Sequence, residues 1–371
     1  MPDARARVDD GDDAGKRGGA GAGRSAAALV LLAALTAAAG CSSVAYYGQA
    51  TYGQLSLLAA ARPIDDWLRD PATSEALKQR LRRAQAIRAF ASRELALPDN
   101  RSYTRYADLK RAAVVWNVVA APELSLELKS WCYPVFGCAT YRGYFKLEAA
   151  DETAAELRGQ GYDVAVSDVP AYSTLGWFSD PLLNTFINWP DAELARLIFH
   201  ELAHQVVYAR GDTAFNESFA TAVEREGVRR WLAHEGDEGA RANYARFEAR
   251  REDFVALLLR YRRQLAANYA RAASNDERRA GKRQLFAALQ SEYRELRDTR
   301  WDCWPGYDKF FVQDLNNAQL GAVAAYNDWV PAFAALLARS GDWPAFYREV
   351  QRLADLAPAE RTAQLRALTA S

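Results

Sequence analysis

The segment FHELAHQVVYARGDTAFNESFA, residues 199–220, holds two of the chain's three histidines, His200 and His204, with Glu201 directly after the first. Residues four apart on an α-helix project from one face, so both imidazoles can address one cation. Glu201 falls about 100° round the same helix, placed to flank that cation without binding it. This is the HExxH arrangement of metal-assisted hydrolysis, in which the carboxylate takes a proton from a polarised water. Zinc is the expected ion. Neutral imidazole suits it, and three protein ligands leave a fourth position open for water.

A third ligand is then required. His234, in WLAHEGDEG, lies far down the next helix and reads as a solvent-side residue near its end. Glu217 is better placed, because its helix begins just after the Gly211–Asp212 turn and two antiparallel helices would bring it to the histidines. Asn216 can cap that helix or support a ligand from behind. Burying Glu201 and Glu217 beside histidines with no cation among them would be costly, which favours a metal over two hydrogen-bonded core histidines.

The elements that must position these residues change character along the chain. From about Gly48 to Leu97 the pattern is helical, ended by Pro98, Asp99 and Asn100. AAVVWNVVAA, LSLELKSW, YRGYF and YDVAVSDV are β-branched, aromatic or alternating and predict about four strands. KLEAADETAAELRGQG predicts a helix stopped by glycine, and TLGWF a possible fifth, short strand. After Trp189 the pattern is almost all helical. NWPDAELARLIFHELAHQVVYA predicts a helix capped by Asn188 with Pro190 in its first turn. Leu194, Leu197, Ile198, Leu202 and Val206 would pack on the core while the histidines face a cleft. Two long amphipathic helices follow, the first with Phe254, Leu258, Tyr261 and Leu265 on one face, then two or three shorter ones from Asp328 to Ala370. The expected fold class is α+β, with a small mixed sheet packed on a mainly helical body. Residues 48–190 form the helical and sheet part and 191–371 the helical part of one unit spanning 41–371.

With 47 basic and 47 acidic residues the chain is formally neutral, which argues against a phosphate-binding surface and a nucleic-acid partner. Residues 1–40 read as a polar leader and a secretory signal. Lys16, Arg17 and Arg24 precede an apolar run, Ala26–Ala39, shorter than the ~20 residues of a membrane-spanning helix. AAGC places Cys41 where bacterial lipoproteins carry their lipidated cysteine, although Ala38 stands where leucine is usual. The expected location is the cell envelope, lipid-anchored and facing the periplasm, with Ser42 favouring the outer membrane. Cys132 and Cys138, in WCYPVFGC, would close a small disulfide loop in that oxidising compartment, leaving Cys303 as a buried thiol.

HELAH followed by NESFA resembles the gluzincin metallopeptidases. The wider pattern WCYPVFGCATYRGYF, AYSTLGWFSDPLLNT, HELAHQVVYARGDTAFNESFATAVE and LNNAQLGAVAAYNDWVPAF is similar to a bacterial family of predicted aminopeptidases, often lipoproteins. The resemblance spans most of the chain after Cys41. It implies a zincin-like fold, His200, His204 and Glu217 as zinc ligands, Glu201 as the base, and peptide substrates. It further implies an oxyanion-stabilising tyrosine, for which Tyr326 is the first candidate and Tyr144 the second. TLGWF occupies the position of the zincin substrate-binding strand, so Trp177 and Phe178 are expected to shape a side-chain pocket. An aminopeptidase also needs an anion for the substrate's ammonium, and Asp180 and Glu148 are candidates. The glycine-rich exopeptidase segment of aminopeptidase N has no counterpart. An envelope endopeptidase and a non-catalytic zinc-binding lipoprotein therefore remain as alternatives.

Overall fold

Where the side-chain period is two the chain forms strands, and where it is 3.6 it forms helices, with one exception. The computed structural model describes residues 46–133, 137–171, 174, 176–312 and 314–370. The chain divides into two compact units, Met1–Tyr52 and Gly53–Ser371. Of the first, the described residues 46–52 are helical. Cys41 and the apolar run before it lie outside the described residues. Among those described, no helix is long and apolar enough to cross a membrane.

The second unit opens with helical residues 53–60 (α1), then β1 (Arg62–Pro63), α2 (Ile64–Arg69) and α3 (Glu75–Leu95). Ser74 caps α3 by accepting from Leu77 N–H, and Ala96 in the left-handed region ends it. Strands β2 (Arg105–Ala107), β3 (Val115–Pro122), β4 (Trp131–Tyr133), β5 (Gly137–Ala139) and β6 (Arg142–Tyr144) precede α4 (Leu147–Gly159), β7 (Tyr162–Val169) and β8 (Leu182–Leu183). The expected single sheet is split. Antiparallel β6–β3–β7 forms one three-stranded sheet. In the other, β1–β2–β8, β2 and β8 run parallel, and β4–β5 is a separate hairpin. Cys132 and Cys138 face each other across that hairpin and are joined by a disulfide.

LSLELKSW is the exception, since only its Trp131 lies in a strand. Its alternating leucines pack on helices instead: Leu126 joins the second apolar cluster described below, and Leu128 lies against Gly321. TLGWF is corrected too, because Gly176–Phe178 form a turn rather than a strand. Gly176 has φ +81°, which a side chain rarely tolerates.

Helices fill the rest: α5 (Asp191–Ala203), α6 (Thr213–Glu235), α7 (Glu238–Ala270), α8 (Asn275–Arg300), α9 (Asp308–Val312), α10 (Asn317–Asn327), α11 (Val330–Ser340), α12 (Trp343–Ala354) and α13 (Pro358–Ala370). The main core is built around α3, α5, α6, α11 and α12, with Phe90, Phe199, Phe219, Trp231, Phe333 and Phe346 buried. A second apolar cluster joins α7 and α8 through Phe254, Leu258, Tyr261, Phe286, Leu289 and Tyr293. Cys303 is exposed, not buried as expected. The chain turns there with positive φ at Asp302 and Cys303, and Trp301 takes the inward position.

Candidate metal centre

Helix α5 starts later than the sequence suggests. Pro190, not Asn188, occupies the N-cap position, without a side-chain cap. Asp191 in the first turn is gripped by α3: Arg80 Nη1 and Arg83 Nε reach its two carboxylate oxygens at 2.6 Å each. An anion there also suits the helix dipole. The helix then runs through His200 and ends at Ala203, so His204 is its C-cap residue. Asp212, rather than Asn216, caps α6 by accepting from Phe215 N–H. Asn216 has another task. Its amide both accepts from Ala209 N–H and donates to Ala209 O, each at 2.8 Å, which pins the interhelical turn.

Partners step back along α5 as they step forward along α6, so the two helices are antiparallel. His204 faces Glu217, His200 faces both Glu217 and Glu224, and Arg196 faces Glu224. Gly227 lets α6 approach closely, since a Cβ there would lie 2.8 Å from both Leu95 Cδ1 and Phe199 Cδ2.

The expected ligands converge. His200 Nε2 lies 3.2 Å from His204 Nε2 and 3.2 Å from Glu217 Oε2, and His204 Nε2 lies 3.6 Å from the same oxygen. Ligands about 2.0–2.1 Å from a tetrahedral ion stand roughly 3.3 Å from one another. The donor set and its spacing therefore fit one divalent cation. His200 Nδ1 faces Glu224 Oε2 at 2.9 Å, which selects the tautomer that leaves Nε2 as the donor to a metal. His204 Nδ1 is buried and makes no hydrogen bond.

Burial opposes charge on His200, but its hydrogen bonds to Glu217 and Glu224 outweigh this and lift its pKa to about 10. Glu217 is pushed up by burial and pulled further down, to about 2, chiefly by the charge of His204 and the hydrogen bonds from both histidines. Glu201 is 8% exposed. Burial raises its carboxyl; the histidine charges oppose that rise, and those of Glu217 and Asp180 add to it.

Sequence reasoning missed the charges behind the ligands. Glu224 is 1% exposed and held far below the carboxylate range. Burial opposes this, but Arg196, Arg251 and His200 prevail. The signal lay in helical spacing: Arg196 is one turn before His200, and Glu224 is two turns after Glu217. Two phenols were also missed. Tyr103, buried with φ 62° and with no hydrogen bond to its hydroxyl, has its pKa raised by burial and by the charges of Glu201 and Asp180. Tyr208, partly exposed in the α5–α6 turn, is raised by burial and then by Glu217.

The other expected residues fall in different places. Asp180 is 4% exposed and accepts from Thr174 N–H at 3.0 Å and from its hydroxyl at 2.8 Å. Its turn presents Trp177 and Phe178, 66% and 46% exposed, and Gly176 in that turn lies beside Gln205, next to His204. Gln205 is tied to the loop after α3 by Asn100 and Ser102. Arg88 holds that loop through the carbonyls of Pro98, Asn100 and Ser102. Glu148 is exposed on α4. Tyr144 is buried on β6, where its hydroxyl accepts from Thr153. His234 is exposed and pairs with Glu235, away from the other two histidines. Tyr326 lies on α10, which packs on α6; its side chain lies outside what the structure describes.

A family model described as putative aminopeptidase matches residues 45–365. No curated protein and no solved structure matches the chain.

Proposed function

The chain belongs to the putative aminopeptidase family, and from that premise we propose that it is a zinc-dependent peptidase removing N-terminal residues from peptides in the cell envelope. The observation that carries this reading is the convergence of His200, His204 and Glu217 within 4.8 Å of one another, with Glu201 buried beside them. His200, His204 and Glu217 would hold the ion, in a zincin-like arrangement. A zinc ion bound there supplies a Lewis acid for the scissile carbonyl and the attacking water.

The protein's own groups do the rest. Glu201 accepts the proton of the attacking water and delivers it to the leaving amine. Its burial beside other carboxylates favours holding that proton between the two steps. Asp180, rather than exposed Glu148, receives the substrate ammonium. It is buried and close enough to Glu201 for its charge to act on that carboxyl. Trp177 and Phe178 offer apolar surface beside that point and shape the side-chain pocket. A phenol donates to the developing oxyanion. Tyr326 is the candidate from sequence and Tyr208 the one from structure, and the Tyr→Phe variant that loses turnover identifies it.

The full chain in detergent, wild type beside Glu201→Gln, is assayed for metal content and for cleavage of peptides with free and acetylated N-termini. One zinc per chain in both is expected. Cleavage should be confined to free N-termini and fall by roughly 10²–10⁴ in the variant. Cleavage of acetylated peptides would make the enzyme an endopeptidase. Zinc absent from the wild type would remove the metal reading. For location, the expected result is fatty-acid labelling that is lost in Cys41→Ala. An unlabelled wild type would refute the anchor.

A further inference from the structure

Resting on the metal-centre reading above, we propose that Arg251, on a helix that carries none of the ligands, is a positioning residue for the metal centre. It acts through Glu224 on His200, so that the α7–α8 hairpin sets the affinity of the site for its ion.

Glu224 is the junction. Its Oε2 meets His200 Nδ1 at 2.9 Å and Arg196 Nη1 at 3.4 Å, while its Oε1 meets Arg251 Nη1 at 2.9 Å. The Arg251 contact is an ion pair rather than an aligned hydrogen bond, since Glu224 Oε1 is buried and accepts none. Charge at that point, more than direction, is therefore what Arg251 provides. An anionic Glu224 fixes the ring and tautomer of His200 and raises the basicity of the nitrogen that faces the other ligands. Arg251 keeps that anion in place at a position with almost no access to water.

The arginine is itself registered by packing. Phe254, one turn further along α7, stacks on Tyr307 with centroids 3.9 Å apart and planes within 2°, inside the α7–α8 cluster. Glu248 sits 3.4 Å from the same Arg251 nitrogen that meets Glu224, and Arg225 of α6 lies 3.6 Å from Glu248. Three arginines, 196, 225 and 251, thus interleave with Glu193, Glu224 and Glu248 behind the histidines. The charges cancel, and the arrangement spans α5, α6 and α7. A hairpin whose apolar cluster is separate from the main core thereby reaches the ligands through one side chain.

The test measures zinc affinity by chelator competition on the full chain in detergent, alongside the melting temperature of the metal-free protein. Glu224→Gln should weaken zinc by roughly 10–100-fold. Arg251→Met should weaken it by a smaller factor, of order tenfold, and Arg251→Lys should restore it to within about threefold, because the charge remains. Lower melting temperatures with zinc affinity unchanged in Arg251→Met and Glu224→Gln would leave only a structural role and overturn the proposal. Should Arg251→Met not fold, Arg251→Lys beside Arg251→Gln carries the same comparison. A wild type that binds no zinc would overturn the underlying reading. A wild type that binds zinc with affinity indifferent to Arg251→Met, whatever Glu224→Gln does, would overturn this inference alone.

Discussion

Two carboxylates lie buried around His200, and they are kept in opposite ways. Glu224 meets His200 and Arg196 through one carboxylate oxygen and Arg251 through the other, so it is held ionised. Glu201 is buried with Glu217 and Asp180 as charged neighbours, and among the described residues it makes no ion pair with an arginine or lysine, so its affinity for a proton rises. The first environment suits a group that must never change state, since a positioning carboxylate that took a proton would release its histidine. The second suits a group that must take a proton and give it back. One helix–turn–helix thus keeps one carboxylate ionised and favours a proton on another by the placement of arginines, as the proposed mechanism requires.

The sharpest way to break this comparison is to replace both carboxylates by leucine in the metal-free protein. Glu224→Leu strands two partly buried arginines and should cost up to about 3–5 kcal/mol, the penalty for breaking a fully buried ion pair from one side. Glu201→Leu removes a buried carboxylate that no cation pairs with, and should raise stability by about 0.5–2 kcal/mol while abolishing turnover. Denaturant midpoints give both values. Equal destabilisation by the two variants would mean that the two environments do not differ as described.

The next largest effect should fall on Asp180. Asp180→Asn keeps an acceptor for Thr174 N–H but loses the charge proposed to receive the substrate ammonium. KM for peptides with a free N-terminus should rise by roughly 10–100-fold, the worth of a hydrogen bond to a charged group, with kcat less affected. An unchanged KM would remove Asp180 from substrate binding and leave it the task of holding the Trp177–Phe178 turn. That outcome would also show that Glu201's surroundings serve its proton alone.

The sequence carried the strands β3, β6 and β7, the helices α3 to α8 and α11 to α13, and the spacing that brings His200, His204 and Glu217 together, because each obeys one local period or spacing. It did not carry the Glu224 cluster. Arg196, Glu224 and Arg251 sit on three helices, and in the sequence each looks like one more charge on an amphipathic surface. Only tertiary packing turns them inward together, and a buried charge becomes legible once its counter-charges are known. LSLELKSW misled for a related reason: alternation reports an apolar face, and that face met helices rather than a sheet. Asn188 and Asn216 were plausible caps by residue type, but Pro190 and Asp212 stand at the actual helix starts.

A smaller effect tests how far burial, rather than arginine count, makes Glu224 rigid. Asp191 is also held by two arginines, Arg80 and Arg83, at 2.6 Å each, yet its side chain is 36% exposed. Burial raises its pKa, and the two guanidinium groups bring it below the usual value of 3.8. Its folded pKa is depressed, so its contribution to stability is complete above pH 3.8 and disappears as pH falls below that value. In water the pairs are screened, and Asp191→Asn should cost only about 0.2–1 kcal/mol per pair at pH 7, with the loss shrinking as pH falls below 3.8. Zinc affinity should be unchanged, because Asp191 stands two turns before His200 and touches no ligand. A loss as large as that of Glu224→Leu would show that two arginines suffice whatever the exposure. The rigidity of the metal side would then come from the ion pairs themselves and not from the apolar helices packed around them.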